Sequence, residues 1–143
     1  MITKGQKQDN NSIPFMFDDG YTVIQSNDNF RFMTSGHVLM QPISDNLLSC
    51  VNQMILRLRE RKPQTLTITG LYREDEDNLS NFDNLGDARA NEIKNFLVNQ
   101  GLPKDQIVIS NKKIEKRQDG KDVLTSYYTL KVETSNELLL KLE

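Results

Sequence analysis

The stretch from residue 65 to residue 102 constrains the fold of this chain more than any other part of it. It begins with TLTITGLY (65–72), where β-branched and apolar residues alternate, and this period of two predicts a strand. Gly70 lies near the end of that strand, at a position where another backbone can approach closely. An acidic loop follows, and then a helix that begins at Asn84 and ends before Gly101. The sequence therefore predicts a strand, a loop and a helix in immediate succession.

Both ends of this helix are signalled by their residue types. Asp83 or Asn84 can accept hydrogen bonds from the free N–H groups of the first turn, and Asp87 is placed to form a capping box with Asn84. Gly101 suits the left-handed position after a helix, and Pro103 cannot continue one. The helix boundaries are thus predicted from local chemistry.

Further elements are predicted on either side of this stretch. A first helix begins at Ser44, its predicted N-cap, and ends before Pro63. Strands are predicted at 30–33, 106–111 and 126–133 from their alternating apolar residues. The order is then β-α-β-α-β-β, and right-handed crossovers place both helices on the same face of the sheet. We expect an α+β fold, a two-layer sandwich with a mixed sheet.

One domain is the expectation for 143 residues. We expect residues 1–26 to be a polar lead-in with a hairpin at an Asp-Gly turn, residues 27–134 to be the domain, and residues 135–143 to be a tail. The net charge of −2 gives no reason to expect a nucleic acid or an anionic membrane as partner. No apolar run approaches the ~20 residues of a membrane span.

The sequence offers no catalytic constellation. His37 stands alone, and Cys50 lies inside a predicted amphipathic helix. Ser80 and Ser110 lack the Gly-x-Ser-x-Gly setting of a hydrolase nucleophile. We therefore expect no enzyme, no metal and no cofactor.

The acidic run at 74–77 is typical of a solvated loop. Oxygen ligands alternate at Asp75 and Asp77, as in a calcium loop. The glycine at the sharp turn and the glutamate at the twelfth position of such loops are missing, so calcium is only weakly indicated.

The run NLGDARANEIKNFLVNQGLPKDQI (84–107) resembles the second helix of OmpA-like peptidoglycan-binding domains. The matching residues are Leu85, Arg89-Ala90, Phe96-Leu97, Gly101-Leu102 and Ile107. The end of the preceding strand, 68–70, matches the Ile/Val-x-Gly of that family. Upstream, 29–32 resembles its first strand and 42–58 its first helix. The similarity spans residues 28–133 and implies the same two-layer fold.

The resemblance implies a ligand and the groups that hold it. In that family the arginine of the Arg-Ala pair, here Arg89, grips a carboxylate of the zwitterionic diaminopimelate in the peptidoglycan stem. A guanidinium fork suits a carboxylate, and a helix N-terminus favours an anion. The family's aspartate, which takes the ammonium group, falls on Arg73, and a one-residue insertion brings Glu74 into register instead. The expected ligand-binding residues are Arg89, Glu74 or Asp75, and Tyr72 and Leu85 as walls.

Two departures from the family pattern leave a second function open. The family's Asn falls on Phe82, and its Ser falls on Gly86. A domain that keeps the fold with a degenerate pocket would be a structural or protein–protein interaction scaffold. In that case Arg89 is read as an ion pair with Asp87, Glu92 or the acidic loop, a kind of pair worth only ~0–1 kcal/mol at a surface.

The resemblance also implies a location and partners. It predicts the periplasm or cell envelope, with any targeting or anchor segment outside this sequence. Peptidoglycan and the proteins of an envelope complex are the expected partners.

Overall fold

The computed structural model describes residues 13–115 and 127–134. The elements, in chain order, are β1 (Met16–Asp18), β2 (Val23–Gln25), α1 (Asp45–Arg59), β3 (Gln64–Arg73), α2 (Leu85–Asn99), a short 3-10 helix (Lys104–Gln106), β4 (Ile107–Ile114) and β5 (Tyr128–Thr134). The predicted lead-in before residue 13 and the tail after residue 134 lie outside the described residues. The domain boundaries remain a prediction.

The main sheet has the order β4-β3-β5. Strand β3 pairs with β4 in parallel, with Leu66 opposite Ile107, and with β5 in antiparallel, with Ile68 opposite Leu130. Both helices contribute side chains to one buried cluster with Leu66 and Ile68. The predicted α+β sandwich with a mixed sheet is therefore confirmed. Neither helix, in the part of the chain described, has the length and hydrophobicity to cross a membrane.

The predicted strand at 30–33 is wrong. Phe30 and Phe32 are each only 2% exposed, but the segment is not a strand of either sheet. The ring of Phe30 packs edge-on against Phe96 and Tyr128, with centroids 5.4 Å and 5.8 Å away. The alternation of phenylalanines with Arg31 and Met33 reflects burial of the two rings in a segment without regular secondary structure.

The predicted N-terminal hairpin forms as β1 and β2, with Phe17 opposite Ile24. Both side chains belong to the buried cluster shared with the helices. The carboxylate of Asp19 closes the turn by accepting a hydrogen bond from the N–H of Thr22 at 2.8 Å. It also accepts from the guanidinium of Arg57 on α1. The hairpin is thus fastened to the first helix by an ion pair.

The predicted helix caps are confirmed. Ser44 accepts a hydrogen bond from the N–H of Leu47 at 3.1 Å. At the start of α2, Asn84 accepts from the N–H of Asp87 at 2.8 Å, and the Asp87 carboxylate accepts from the Asn84 amide at 3.1 Å. Gly101 follows α2 with φ = +115°. Local residue chemistry therefore sets where these helices begin and end.

Candidate ligand site at the start of helix α2

Two glycines let the first turn of α2 lie directly on the end of β3. A Cβ atom at Gly70 would lie 1.8 Å from the carbonyl oxygen of Gly86 and 3.0 Å from the nitrogen of Ala90. A Cβ atom at Gly86 would lie 2.7 Å from the Gly70 oxygen and 2.8 Å from the ring of Tyr72. Side chains do not fit at either position. The contact carries Arg89, one turn further along α2, to the carboxyl end of β3.

The guanidinium of Arg89 is fully buried, with 0% of its side chain exposed, and all five of its N–H donors are used within the chain. Nε donates to the carbonyl of Gly36 at 2.9 Å, and Nη1 donates to that of Leu71 at 2.9 Å. Nη2 donates to the carbonyl of Met33 at 3.3 Å. The remaining two donors hold the two oxygens of Glu76, at 3.1 Å and 2.6 Å. Arg89 therefore already grips a carboxylate, and the carboxylate belongs to its own chain.

The carboxylate of Glu76 is as buried as its partner, with 1% of the side chain exposed. Besides the two bonds from Arg89, it accepts from the N–H of Arg73 at 2.9 Å and from the N–H of Ser35 at 2.8 Å. Burial opposes ionisation of this group, but the hydrogen bonds from Arg89, Arg73 and Ser35 outweigh it. The pKa of Glu76 consequently lies below its ordinary value of 4.5. Four N–H groups from three separate segments thus converge on one carboxylate.

Two aromatic rings wall the guanidinium. The Cζ atom of Arg89 lies 5.6 Å from the ring centroid of Phe32 and 5.1 Å from that of Tyr127. Both distances suit a cation–π contact, which gains strength away from water. Burial also raises the pKa of the Tyr127 hydroxyl. The site is therefore a dry pocket with a fixed positive charge.

The two acids predicted from the sequence lie outside this pocket. Glu74 is 84% exposed and lies 3.8 Å from the ammonium group of Lys113. Asp75 accepts from Nε of Arg73 at 3.1 Å. The acid that reaches Arg89 is Glu76, which the sequence reasoning missed. Glu76 belongs to the predicted acidic run. Because the loop has an insertion relative to the family pattern, aligning it with that pattern does not indicate which of its acids contacts Arg89.

The residues predicted as walls, Leu85 and Tyr72, lie on the two elements whose junction holds Arg89, and their contact with a ligand stays a prediction. Leu85 is buried in the first turn of α2, and Tyr72 is half-buried against Gly86. Phe82, on which the family's Asn falls, is 39% exposed.

The other two acids considered as ion-pair partners of Arg89 are engaged elsewhere. Asp87 accepts from the amide of Asn111 at 2.9 Å, and Glu92 accepts from the N–H of Leu39 at 3.0 Å. The partners considered for Arg89 were Asp87, Glu92 and the acidic loop, and the ion pair that forms is with Glu76 of the loop.

Two surface depressions are lined in part by residues adjacent in sequence or hydrogen-bonded to the buried pair. One of about 290 Å³ is lined by Met33, Ser35, Gly36, His37, Val38 and Leu79. Its Ser35 and Gly36 are the residues whose backbone binds Glu76 and Arg89. A second, of about 480 Å³, is lined by Glu74, Asp75, Lys113, Ile114 and Glu115. In the described ranges, no three His, Cys, Asp or Glu side chains are grouped so that they could hold a metal ion.

No family model matches the chain, and no curated protein matches it. Several solved structures do match the chain. The OmpA-like domain of FopA1 from Francisella tularensis matches at 13% identity with a TM-score of 0.54, over 86% of this chain and 80% of that one. The C-terminal domain of Helicobacter pylori MotB matches at 13% identity and 0.53, over 91% of each. The peptidoglycan-associated lipoprotein of Burkholderia pseudomallei matches at 15% and 0.52, over 74% and 86%. The chain therefore has the fold of OmpA-like domains, as its resemblance to them predicted.

Proposed function

We propose that this chain is a non-catalytic binding module of the cell envelope that attaches non-covalently to peptidoglycan. One observation carries the proposal: at the junction of β3 and α2, the Arg89 guanidinium holds a carboxylate in bidentate geometry beside two aromatic rings. A buried fork of this kind selects a carboxylate by shape as well as charge. The fold is shared with a lipoprotein described as peptidoglycan-associated.

The finer part of the proposal is the ligand. The free carboxylate of a diaminopimelate-type residue binds at Arg89, in the position that Glu76 now takes. The ammonium group of the same residue lies toward the depression that Glu74 and Asp75 line, where exposed carboxylates are available. Tyr72 and Leu85 flank the entrance. The location that follows is the periplasm or another compartment in contact with the cell wall.

A second candidate function is a scaffold in an envelope assembly. It is favoured by one specific observation: all five donors of Arg89 and both oxygens of Glu76 are satisfied within the chain. A buried charge pair with complete hydrogen bonding is stable as it stands and does not call for a ligand. In this case protein partners bind at another surface.

Co-sedimentation with purified peptidoglycan separates the two functions. Arg89→Lys keeps the charge but loses the fork, and Arg61→Ala removes an exposed arginine after α1 as a matched control. We expect the wild type and Arg61→Ala to sediment with peptidoglycan and Arg89→Lys to stay in the supernatant. Circular dichroism establishes that each variant is folded. If the wild type does not sediment, peptidoglycan binding is rejected and the scaffold remains. If Arg89→Lys sediments like the wild type, the contact lies elsewhere.

A further inference from the structure

We infer that Glu76 is a displaceable occupant of a carboxylate site, so that an external carboxylate binds at Arg89 by replacing it. The inference rests on the proposed function for the identity of the natural ligand, a peptidoglycan stem carboxylate. The site itself is defined by four N–H donors, two from the Arg89 fork and one each from the backbones of Ser35 and Arg73, 2.6–3.1 Å from the Glu76 oxygens. Four donors match the accepting capacity of one carboxylate.

Nothing in this donor set is specific to a tethered carboxylate. The donors belong to the segment before α1, the end of β3 and the body of α2, and they converge from outside the acidic loop that carries Glu76. Any carboxylate of similar size can make the same four bonds. The site thus recognises a carboxylate group, and Glu76 supplies that group from the same chain.

Apart from Glu76, the loop that carries it is held in place by polar contacts, among them the ion pair of Asp75 with Nε of Arg73 at 3.1 Å. From residue 74 to residue 83, all residues apart from Glu76 are exposed, with the exception of Ser80, which is half-buried. Leu79, the longest aliphatic side chain in the loop, is 78% exposed. A segment with so few buried apolar contacts opens at low free-energy cost. Besides the bonds of Glu76, the opening breaks surface bonds such as the one from the Asp77 N–H to the Ser35 hydroxyl at 2.9 Å.

Exchange of one carboxylate for another avoids the main penalty of breaking a buried ion pair. That penalty comes from leaving the partner charge unpaired in a dry environment. Here Arg89 keeps a carboxylate in its fork before and after the exchange, and Glu76 regains water. The ligand competes only with a tethered carboxylate, whose effective concentration is set by a short chain segment.

When a tethered carboxylate competes for the site, the apparent affinity for a ligand is the intrinsic affinity multiplied by the fraction of molecules in which the site is free. Removing the competitor should therefore tighten binding. We expect Glu76→Ala to bind a soluble diaminopimelate-containing stem peptide at least ~10-fold more tightly than the wild type. Asp77→Ala, in the same loop but exposed, should bind like the wild type, because only the backbone N–H of Asp77 bonds to Ser35.

Chemical rescue tests the carboxylate site without peptidoglycan. Glu76→Ala leaves Arg89 unpaired, so its melting temperature should fall and then rise by about 3 °C or more in 100 mM sodium acetate. Sodium chloride at the same ionic strength should not give this rise. The wild type and Asp77→Ala should respond equally to the two salts. If Glu76→Ala does not fold, Glu76→Ser, whose short side chain also leaves the carboxylate site open, takes its place in both measurements.

The outcomes separate this inference from the proposed function. Acetate rescue together with tighter peptide binding supports exchange at Arg89. Equal responses to acetate and chloride in a folded Glu76 variant overturn the inference, even if the wild type sediments with peptidoglycan in an Arg89-dependent way. Acetate rescue without peptide binding by either protein supports the carboxylate site and removes peptidoglycan as its ligand.

Discussion

Two arginine–carboxylate pairs each tie a loop to a helix, and they do so to different depths. In the Arg89–Glu76 pair, 0% and 1% of the two side chains are exposed, and in the Arg57–Asp19 pair the values are 19% and 0%. Both carboxylates also accept backbone N–H groups. Those of Asp19 come from its own turn, whereas one of those of Glu76 comes from Ser35, 41 residues away.

The comparison separates two uses of the same chemistry. Arg57 fastens a turn that already closes on itself, and water still reaches part of its side chain. Arg89 joins three segments that are distant in sequence, since the carbonyls that accept its N–H groups lie before α1 and in β3, while Arg89 itself lies in α2. The first pair contributes to the docking of a hairpin. The second pair holds together the segment before α1, the end of β3 and helix α2.

The largest effect should follow from removing one member of the deeper pair. Glu76→Ala or Arg89→Ala leaves a buried charge without its partner, which costs about 3–5 kcal/mol in the free energy of unfolding. The double variant Arg89→Met/Glu76→Leu buries no charge and should recover part of that loss, since the backbone groups that Arg89 and Glu76 satisfy lose these partners. Urea denaturation of the three variants measures both effects. A loss below about 1 kcal/mol for either single variant would mean that water enters the pocket and that the two pairs do not differ in kind.

A smaller effect is expected at the hairpin. Arg57→Ala should cost about 1.5–3 kcal/mol, the range of a hydrogen bond to a charged group, because Asp19 keeps the N–H groups of Tyr21 and Thr22 as donors. The matched control, Arg61→Ala, changes an exposed arginine and should stay within about 0.5 kcal/mol of the wild type. If Arg57→Ala costs as much as Glu76→Ala, the depth of burial does not decide the strength of these pairs.

The sequence was informative where local chemistry decides the structure. The caps at Ser44 and Asn84 and the turn at Gly101 were predicted because each depends on residues within a few positions. Gly70 was expected to allow a close approach, and the backbone that approaches is that of Gly86.

The sequence was uninformative where a contact joins distant segments. It offered four acids in the run 74–77, and the choice of Glu76 depends on the course of the loop and on donors from Ser35 and Arg73. The alternation at 30–33 likewise carried information on burial, and its reading as a strand required pairing partners that the sequence does not specify. The residues of the candidate site were therefore only partly predictable.

The smallest effect, and the one that compares the two carboxylates most directly, is acid destabilisation. Both pKa values are lower in the folded protein: Glu76 lies below 4.5, and Asp19 falls from 3.8 to about 2, since hydrogen bonds from Arg57, Thr22 and Tyr21 outweigh burial. A group with a lowered pKa stabilises the fold above its unfolded-state pKa, and this contribution is lost as the pH falls through the folded-state value.

The free energy of unfolding should therefore fall below pH 4.5 through Glu76, and from pH 3.8 down to about pH 2 through Asp19. Each group contributes a slope of at most about 1.4 kcal/mol per pH unit. Urea denaturation from pH 7 to pH 2 measures these slopes for the wild type, Glu76→Gln and Asp19→Asn. Each variant should lose the part of the acid slope that belongs to its own carboxylate, because an amide does not titrate. Curves for Asp19→Asn that run parallel to the wild type between pH 3.8 and pH 2 would show that ionisation of the turn carboxylate does not stabilise the fold, and that of the two carboxylates only Glu76 can do so.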